Sequence, residues 1–296
     1  MSPRTLLLPW ETDARTLFAE AKRLSFGNSG VPDDLTVDFS KLNRISPTGV
    51  TFLSNLAQWL EDRGRHFSLV NHVDRDRPAI RYLDDCGFFL DVEGLAMRPN
   101  AELRPSTLPL ERIKAETGYS WLQNTLMPWL APTLNIGRVS LYPIEVCIGE
   151  LIKNIQDHSG RDAGSVFVQH FPNRSEVIIS VADFGKGIPA TVKAVAPHLD
   201  DSTAIVRALQ HGFSSKKVPT KRGAGLDYLI ETIIRTNGGR IDVFSGGGHV
   251  AAYRHQGTVQ LTPVQGLGFC PGVTFDISLR TDTIERIEDK PEALEW

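Results

Sequence analysis

A change of pattern about a third of the way along constrains this chain most. Up to residue 93 apolar runs and amphipathic stretches alternate. "RTLLLPW" (4–10), "DLTVDFS" (34–40) and "HFSLVNH" (66–72) read as strands, interleaved with "DARTLFAEAKRL" (13–24), "PTGVTFLSNLAQWLEDRG" (47–64) and "RPAIRYLDDCGFF" (77–89) as helices. Such alternation predicts a small α/β layer domain over 1–93. "GLAMRPNAELRPSTLP" follows, rich in breakers and without sustained periodicity, and predicts a linker at 94–105.

After the linker the alternation stops. "LPLERIKAE" reads as a strand, "YSWLQNTLMPWLAPTL" as a Pro-interrupted helix and residues 141–158 as a longer helix. Strands then dominate: "GSVFVQHF", "EVIISVAD", "GRIDVFSG", "HVAAYRHQG" and "GVTFDISLR", with one further helix at about 226–236. Helices gathered ahead of strands predict an α+β two-layer sandwich over 106–284, with 285–296 as a tail.

Composition excludes several classes. Hydrophobic residues make up 41% of the 296 and charged residues 23%, which is globular rather than disordered. A formal charge of −3 gives no global basic field, so no nucleic acid is expected as a partner. Cys86, Cys147 and Cys270 are far apart and form no C-x-x-C pair, which predicts neither a disulfide nor a zinc framework. The apolar run in "MSPRTLLLPWETDAR" is very short, and nowhere do eighteen apolar residues run together. A cytoplasmic protein with no membrane association is therefore expected.

Three stretches carry chemistry. In "GELIKNIQDHSG" (149–160), Ile148, Leu151, Ile152 and Ile155 follow the spacing of a buried helical stripe, while Glu150, Asn154, Asp157 and His158 cluster beside it. A solvated face would look the same. "VIISVADFGKGIP" (177–189) is an apolar strand ending in Asp183, then Gly185 and Gly187. An aspartate there can accept a hydrogen bond from an exocyclic amine such as that of adenine, and glycines let the backbone approach a flat ring; a plain turn aspartate is the alternative. "KRGAGLDYLIETIIRTNGG" (221–239) sets Gly223 and Gly225 before a helix starting at Leu226, where free N–H groups and the helix dipole suit phosphates.

In this order the three stretches resemble the N, G1 and G2 boxes of the GHKL ATPase superfamily, which unites gyrase-type topoisomerases, heat-shock chaperone ATPases, histidine kinases and mismatch-repair ATPases. The resemblance covers roughly 106–280 and lies nearest the bacterial anti-sigma-factor kinase type. It implies a Bergerat-type ATP-binding fold with ATP and Mg²⁺ as cofactors. Glu150 would be the catalytic base, Asn154 the Mg²⁺ ligand and Asp183 the adenine reader. Gly185, Gly187, Gly223, Gly225 and Leu226 would enclose the nucleotide, Lys216, Lys217, Lys221 and Arg222 would contact phosphates from a lid, and Asp157 would orient a water. His158 at the helix end reads as a dipole partner rather than a catalyst.

Residues 4–93 resemble STAS modules through their strand–helix order and through "DFSKLNRISPTGVTFLSNL". That family's Asp-Ser-Ser-Gly turn is matched here by Ser46-Pro47-Thr48-Gly49, which makes Thr48 the phosphoacceptor position while the usual aspartate is absent. Ser46 as N-cap with Pro47 at the first helical position explains the same residues without phosphate.

The resemblances imply a bacterial regulatory ATPase or serine/threonine protein phosphotransferase acting on a protein partner, such as a STAS or sigma-factor-type regulator, with a homodimer as one assembly. An ATP-gated binding switch with negligible turnover is the alternative. An autophosphorylating histidine kinase fits poorly, because no histidine lies between His72 and His158. Asp183-Phe184-Gly185 also spells the magnesium motif of eukaryotic-type protein kinases, but no H-R-D loop precedes it. "GLGFCPG" (266–272) is read as a loop before the last strand.

Overall fold

The computed structural model describes residues 4–24, 34–158, 163–210, 225–264, 266 and 268–287, without the side chains of residues 115, 155–158 and 163. Strands β1 (Arg4–Leu7), β3 (Asp34–Asp38) and β5 (His66–Val70) form a parallel sheet in the order β1-β3-β5; β2 (Glu11–Thr12) and β4 (Arg44–Ile45) form a separate short pair. Parallel neighbours need crossover connections, and the predicted helices supply them. In α1 (Ala14–Arg23), the Asp13 carboxylate accepts from Thr16 N–H at 2.8 Å and Thr16 Oγ1 accepts from Asp13 N–H at 2.9 Å, a reciprocal cap. For α2 (Pro47–Glu61), Ser46 Oγ accepts from Gly49 N–H at 3.0 Å, the cap read from the sequence.

The single helix expected over 77–89 is two, α3 (Pro78–Asp85) and α4 (Phe88–Glu93). Gly87 between them has φ +86°, a left-handed conformation that ends one helix and re-aims the chain for the next. Residues 94–105 hold no helix or strand, yet the segment is fastened down. The Asp84 carboxylate accepts from the backbone N–H of Met97 and Arg98 and from the Arg98 guanidinium.

The rest of the described chain supplies β6 (Thr107–Lys114), α5 (Ala115–Trp121), α6 (Met127–Leu134), α7 (Arg138–His158), β7 (Ala163–Phe171), β8 (Glu176–Asp183), α8 (Gly187–Lys193), α9 (Asp201–Leu209), α10 (Gly225–Leu229), β9 (Arg240–Gly246), β10 (Gly248–His255), β11 (Thr258–Pro263) and β12 (Cys270–Arg280). The strands make one antiparallel sheet of seven in the order β11-β10-β9-β12-β8-β7-β6. Strand β11 and helices α8 and α9 lie outside the sequence reading, being short segments of six, seven and nine residues. Between α5 and α6 the helix widens over Leu122–Leu126, and Met127 N–H reaches back five residues to Leu122 O. Pro128 lacks an N–H to continue the ordinary ladder there. Among the described residues no helix is long and apolar enough to cross a membrane.

Alternation along the strands sends Val177, Ile179 and Val181 of β8, and Val273, Phe275, Ile277 and Leu279 of β12, toward the helices, where they pack with Ile148, Leu151 and Ile152 of α7 and Ile230 and Ile233 beyond α10. Residues between them point the other way and meet α2, which packs across β7, β8 and β12. Fourteen of the fifteen α2 residues are buried, so the helix is covered on all sides rather than amphipathic. One apolar cluster accordingly joins Leu35, Val37, Phe52 and Leu56 from the first stretch to Leu110, Phe167, Phe184, Phe244 and Cys270 from the second.

Candidate functional site

Helix α7 is set by its buried stripe of Ile144, Cys147, Ile148, Leu151 and Ile152. Glu150 and Asn154 follow Cys147 at intervals of three and four, so the three share one flank. That flank meets α10, since α7 and α10 pack together and the Cys147 thiol approaches Tyr228 O at 3.9 Å. Burial pushes the Cys147 thiol up to about 11, and the neighbouring Glu150 carboxylate adds to the rise. Glu150 also pairs with Lys153 Nζ at 3.6 Å, and Asn154 is half-buried. Of Asp157 and His158 the structure describes the helix but not the side chains.

Asp183 closes β8 and, by strand alternation with Val181, belongs to the helical face. It is 6% exposed, and burial raises its carboxyl from 3.8 to about 7. The Gly185 N–H donates to Oδ1 at 2.7 Å, which partly offsets that rise; among the described residues no hydrogen bond to Oδ2 is seen. The surroundings are built from glycine. Gly187, with φ +78°, starts α8, and a Cβ there would meet Ser245 Oγ at 2.7 Å and Gly272 O at 2.8 Å. Gly272 lies against the Asp183 backbone and carboxyl so closely that no side chain fits. It sits where the β12–β9 register shifts between Cys270 and Val273. Ser245 ties the pieces together, its hydroxyl donating to Gly272 O and accepting from Ile188 N–H at 3.0 Å.

Among the described residues helix α10 runs from Gly225, whose φ is +70°, through Leu229. Asp227 stands in its first turn, its Oδ1 accepting from Tyr228 N–H at 3.1 Å. A carboxylate thus already occupies part of the positive helix end that the sequence reading reserved for phosphates. The helix continues as a wider turn over Ile230–Thr236, and half-buried Leu226 packs between the main core and the small cluster of Val192, Ala204 and Ala208. Gly223, Lys216, Lys217, Lys221 and Arg222 lie outside the described residues.

The structure therefore brings Glu150, Asn154, Gly225 and Leu226 onto two helices packed against each other, with Asp183, Gly185 and Gly187 at a strand end on the same sheet face. A groove of about 340 Å³, lined by Tyr119 of α5 and by Tyr142, Glu145, Glu150 and Lys153 of α7, opens between these two helices; Asn154, Asp183 and Gly225 do not line it. Among the described residues no group of three His, Cys, Asp or Glu side chains could hold a metal ion by itself. Any cation here would need a neutral ligand such as the Asn154 amide oxygen together with oxygens of a bound anion.

Sequence reasoning missed Gly272, Ser245 and Asn55. The Asn55 amide, 1% exposed on α2, donates to Asp183 O at 2.8 Å and Pro271 O at 3.2 Å. Only the glycine density of "GLGFCPG" hinted that backbone comes close there. Thr48 is wholly buried against the seven-stranded sheet, next to the Asp276 carboxyl but outside hydrogen-bond geometry. A phosphate cannot reach it without α2 leaving the sheet, which removes the phosphoacceptor reading in the folded state and leaves the Ser46 cap. Comparison with known protein families and with curated proteins finds no match.

Proposed function

We propose that the protein binds Mg-ATP as a GHKL-type regulatory ATPase or serine/threonine protein phosphotransferase, with residues 106–284 as the nucleotide domain and the STAS-like residues 1–93 docked on its sheet. The observation that carries the reading is Asp183: a nearly dry carboxyl at a strand end, one oxygen held by Gly185 N–H, with the glycine backbone of Gly272 packed directly against it. A dry carboxyl is costly unless something uses it, and a purine amine is a donor of the right kind. Support also comes from the shared α7–α10 flank, where Glu150 could take a proton from an attacking hydroxyl and the Asn154 oxygen could hold a cation. Bound Mg²⁺ would supply charge neutralisation of the phosphates. The protein partner would be the phosphate acceptor or the reader of the nucleotide state.

Incubation with γ-labelled ATP, separating free phosphate from labelled protein, tests the reading on the wild type, Glu150→Ala and Asn154→Ala. The wild type should bind and turn over ATP. Glu150→Ala should keep binding and lose about 10²–10⁴-fold in rate, while Asn154→Ala should lose magnesium-dependent binding. Binding without turnover in both wild type and Glu150→Ala would replace the enzyme with an ATP-gated switch. No ATP binding by the wild type would end the nucleotide reading.

A further inference from the structure

The last ladder pair of β8 and β12 is Val273 with Asp183, and just before Val273 the register of β12 against β9 shifts, so that Asp183 O and Pro271 O sit together at this end of the sheet. Buried acceptors need donors. Both accept from one residue of the other half of the chain, the Asn55 amide of α2, at 2.8 and 3.2 Å, and the Cys270 thiol adds a weaker contact to Pro271 O at 3.5 Å. A primary amide has two N–H bonds, which matches two acceptors. The same turn carries Gly272, packed on the Asp183 carboxyl, and through Gly272 O the Ser245 hydroxyl that holds the start of α8.

We propose that Asn55 is a positioning residue for Asp183, fixing the strand end from behind so that the carboxyl faces a purine amine, and that displacement of α2 thereby changes adenine binding. The inference rests on the reading of Asp183 as the base reader. Its consequence is a direct link between the two halves: whatever binds the first half and shifts α2 alters nucleotide affinity, and nucleotide alters that binding by the same factor. The other buried amide of α2 gives an internal control. Gln58 Nε2 donates to Ser165 Oγ at 2.7 Å and Ser54 Oγ at 3.0 Å, crossing the same interface without touching the Asp183 turn.

Calorimetric titration of ATP and GTP into the full-length wild type, Asn55→Ala and Gln58→Ala tests the assignment, with circular dichroism checking the fold of each. Asn55→Ala should lower ATP affinity by about three- to tenfold, the worth of an ordinary hydrogen bond, and narrow the ATP to GTP ratio, while Gln58→Ala keeps the wild-type ratio. An unchanged ratio in folded Asn55→Ala, or equal narrowing in both variants, overturns the positioning role and leaves ATP binding standing. A wild type that binds no ATP overturns the base-reader assignment and the positioning role with it. If Asn55→Ala does not fold, side-chain amide NMR signals of the wild type carry the test. ATP should shift the Asn55 pair and leave the Gln58 pair in place, and an unmoved Asn55 pair rejects the proposal.

Discussion

Asp183 meets two opposed demands, and the conflict makes a prediction with a sign. Its folded-state value near 7 stands against an ordinary 3.8, so the folded chain keeps a proton that the unfolded chain has lost over that range. Stability should therefore fall as pH rises from about 4 to about 7 and level off above, by up to about 4 kcal/mol from this residue. Asp276, raised by burial to about 6, acts in the same direction over a shorter range. Asp183→Asn cannot ionise, so its urea midpoint at pH 8 should exceed that of the wild type, and only the smaller Asp276 slope should remain. Function should move the other way. Gly185 N–H requires an acceptor at the Oδ1 position, which turns the new amide nitrogen outward and sets a donor against the purine amine. The variant should thus be more stable and bind ATP more weakly. A stability profile identical to that of the wild type from pH 5 to 8 would show that this carboxyl is hydrated. Asp183 itself was legible in sequence because a long apolar strand ended in a charge. Its neighbours Gly272 and Asn55 were not, since their meeting depends on a register shift and on packing between distant parts of the chain.

At the scale of elements, α2 explains where the sequence reading succeeded and where it stopped. Its limits were visible in Ser46, Pro47 and the apolar run, because caps and proline act locally. Its surroundings were not. Thr48, Thr51, Asn55 and Gln58 recur at helical spacing, a polar stripe that ordinarily faces water, yet here it faces a sheet whose own surface is polar at Ser165, Ser180 and Asp276. Two half-polar surfaces bury each other through side-chain hydrogen bonds, including Ser54 Oγ with Ser165 Oγ at 3.1 Å and Gln58 to Ser165. No periodicity within one element reveals such a pairing. Substitutions at the helix start follow from it. Ser46→Ala should cost about 0.5–2 kcal/mol through the lost cap. Thr48→Glu sets a second carboxyl beside Asp276 in a buried layer, and an uncompensated buried charge costs about 3–5 kcal/mol, so melting should drop steeply. Thr48→Val removes a hydroxyl without a hydrogen-bond partner and should melt at or above the wild-type temperature. If Thr48→Glu melts like the wild type and instead changes ATP turnover, α2 must leave the sheet readily and Thr48 regains a regulatory role.

For the whole molecule the question is whether two stretches that read as separate units in sequence can exist apart. The change of pattern near residue 94 was real at the level of elements: parallel strands with crossovers before it, an antiparallel sheet with helices on one face after it. Sequence could not show that the second sheet has no solvent-facing side along β7, β8 and β12, because α2 covers it there. Leu110, Phe167, Phe184 and Phe244 are all buried in the cluster shared with the first half. Burial of a large apolar side chain contributes about 1.5–3 kcal/mol, so these four together are worth about 6–12 kcal/mol, comparable with the whole stability of an ordinary domain at about 5–15 kcal/mol. A chain starting at residue 106 would present them to water as a contiguous patch of the kind that drives association. Such a truncation should aggregate or bind a hydrophobic dye strongly, and the intact chain should unfold in one transition by both far-ultraviolet dichroism and tryptophan fluorescence. Adding residues 1–105 as a separate polypeptide during refolding should restore solubility, because the missing surface is then supplied in trans. A soluble, dye-silent fragment 106–284 would mean that the shared cluster contributes little, and that the first half is a detachable partner rather than part of the core.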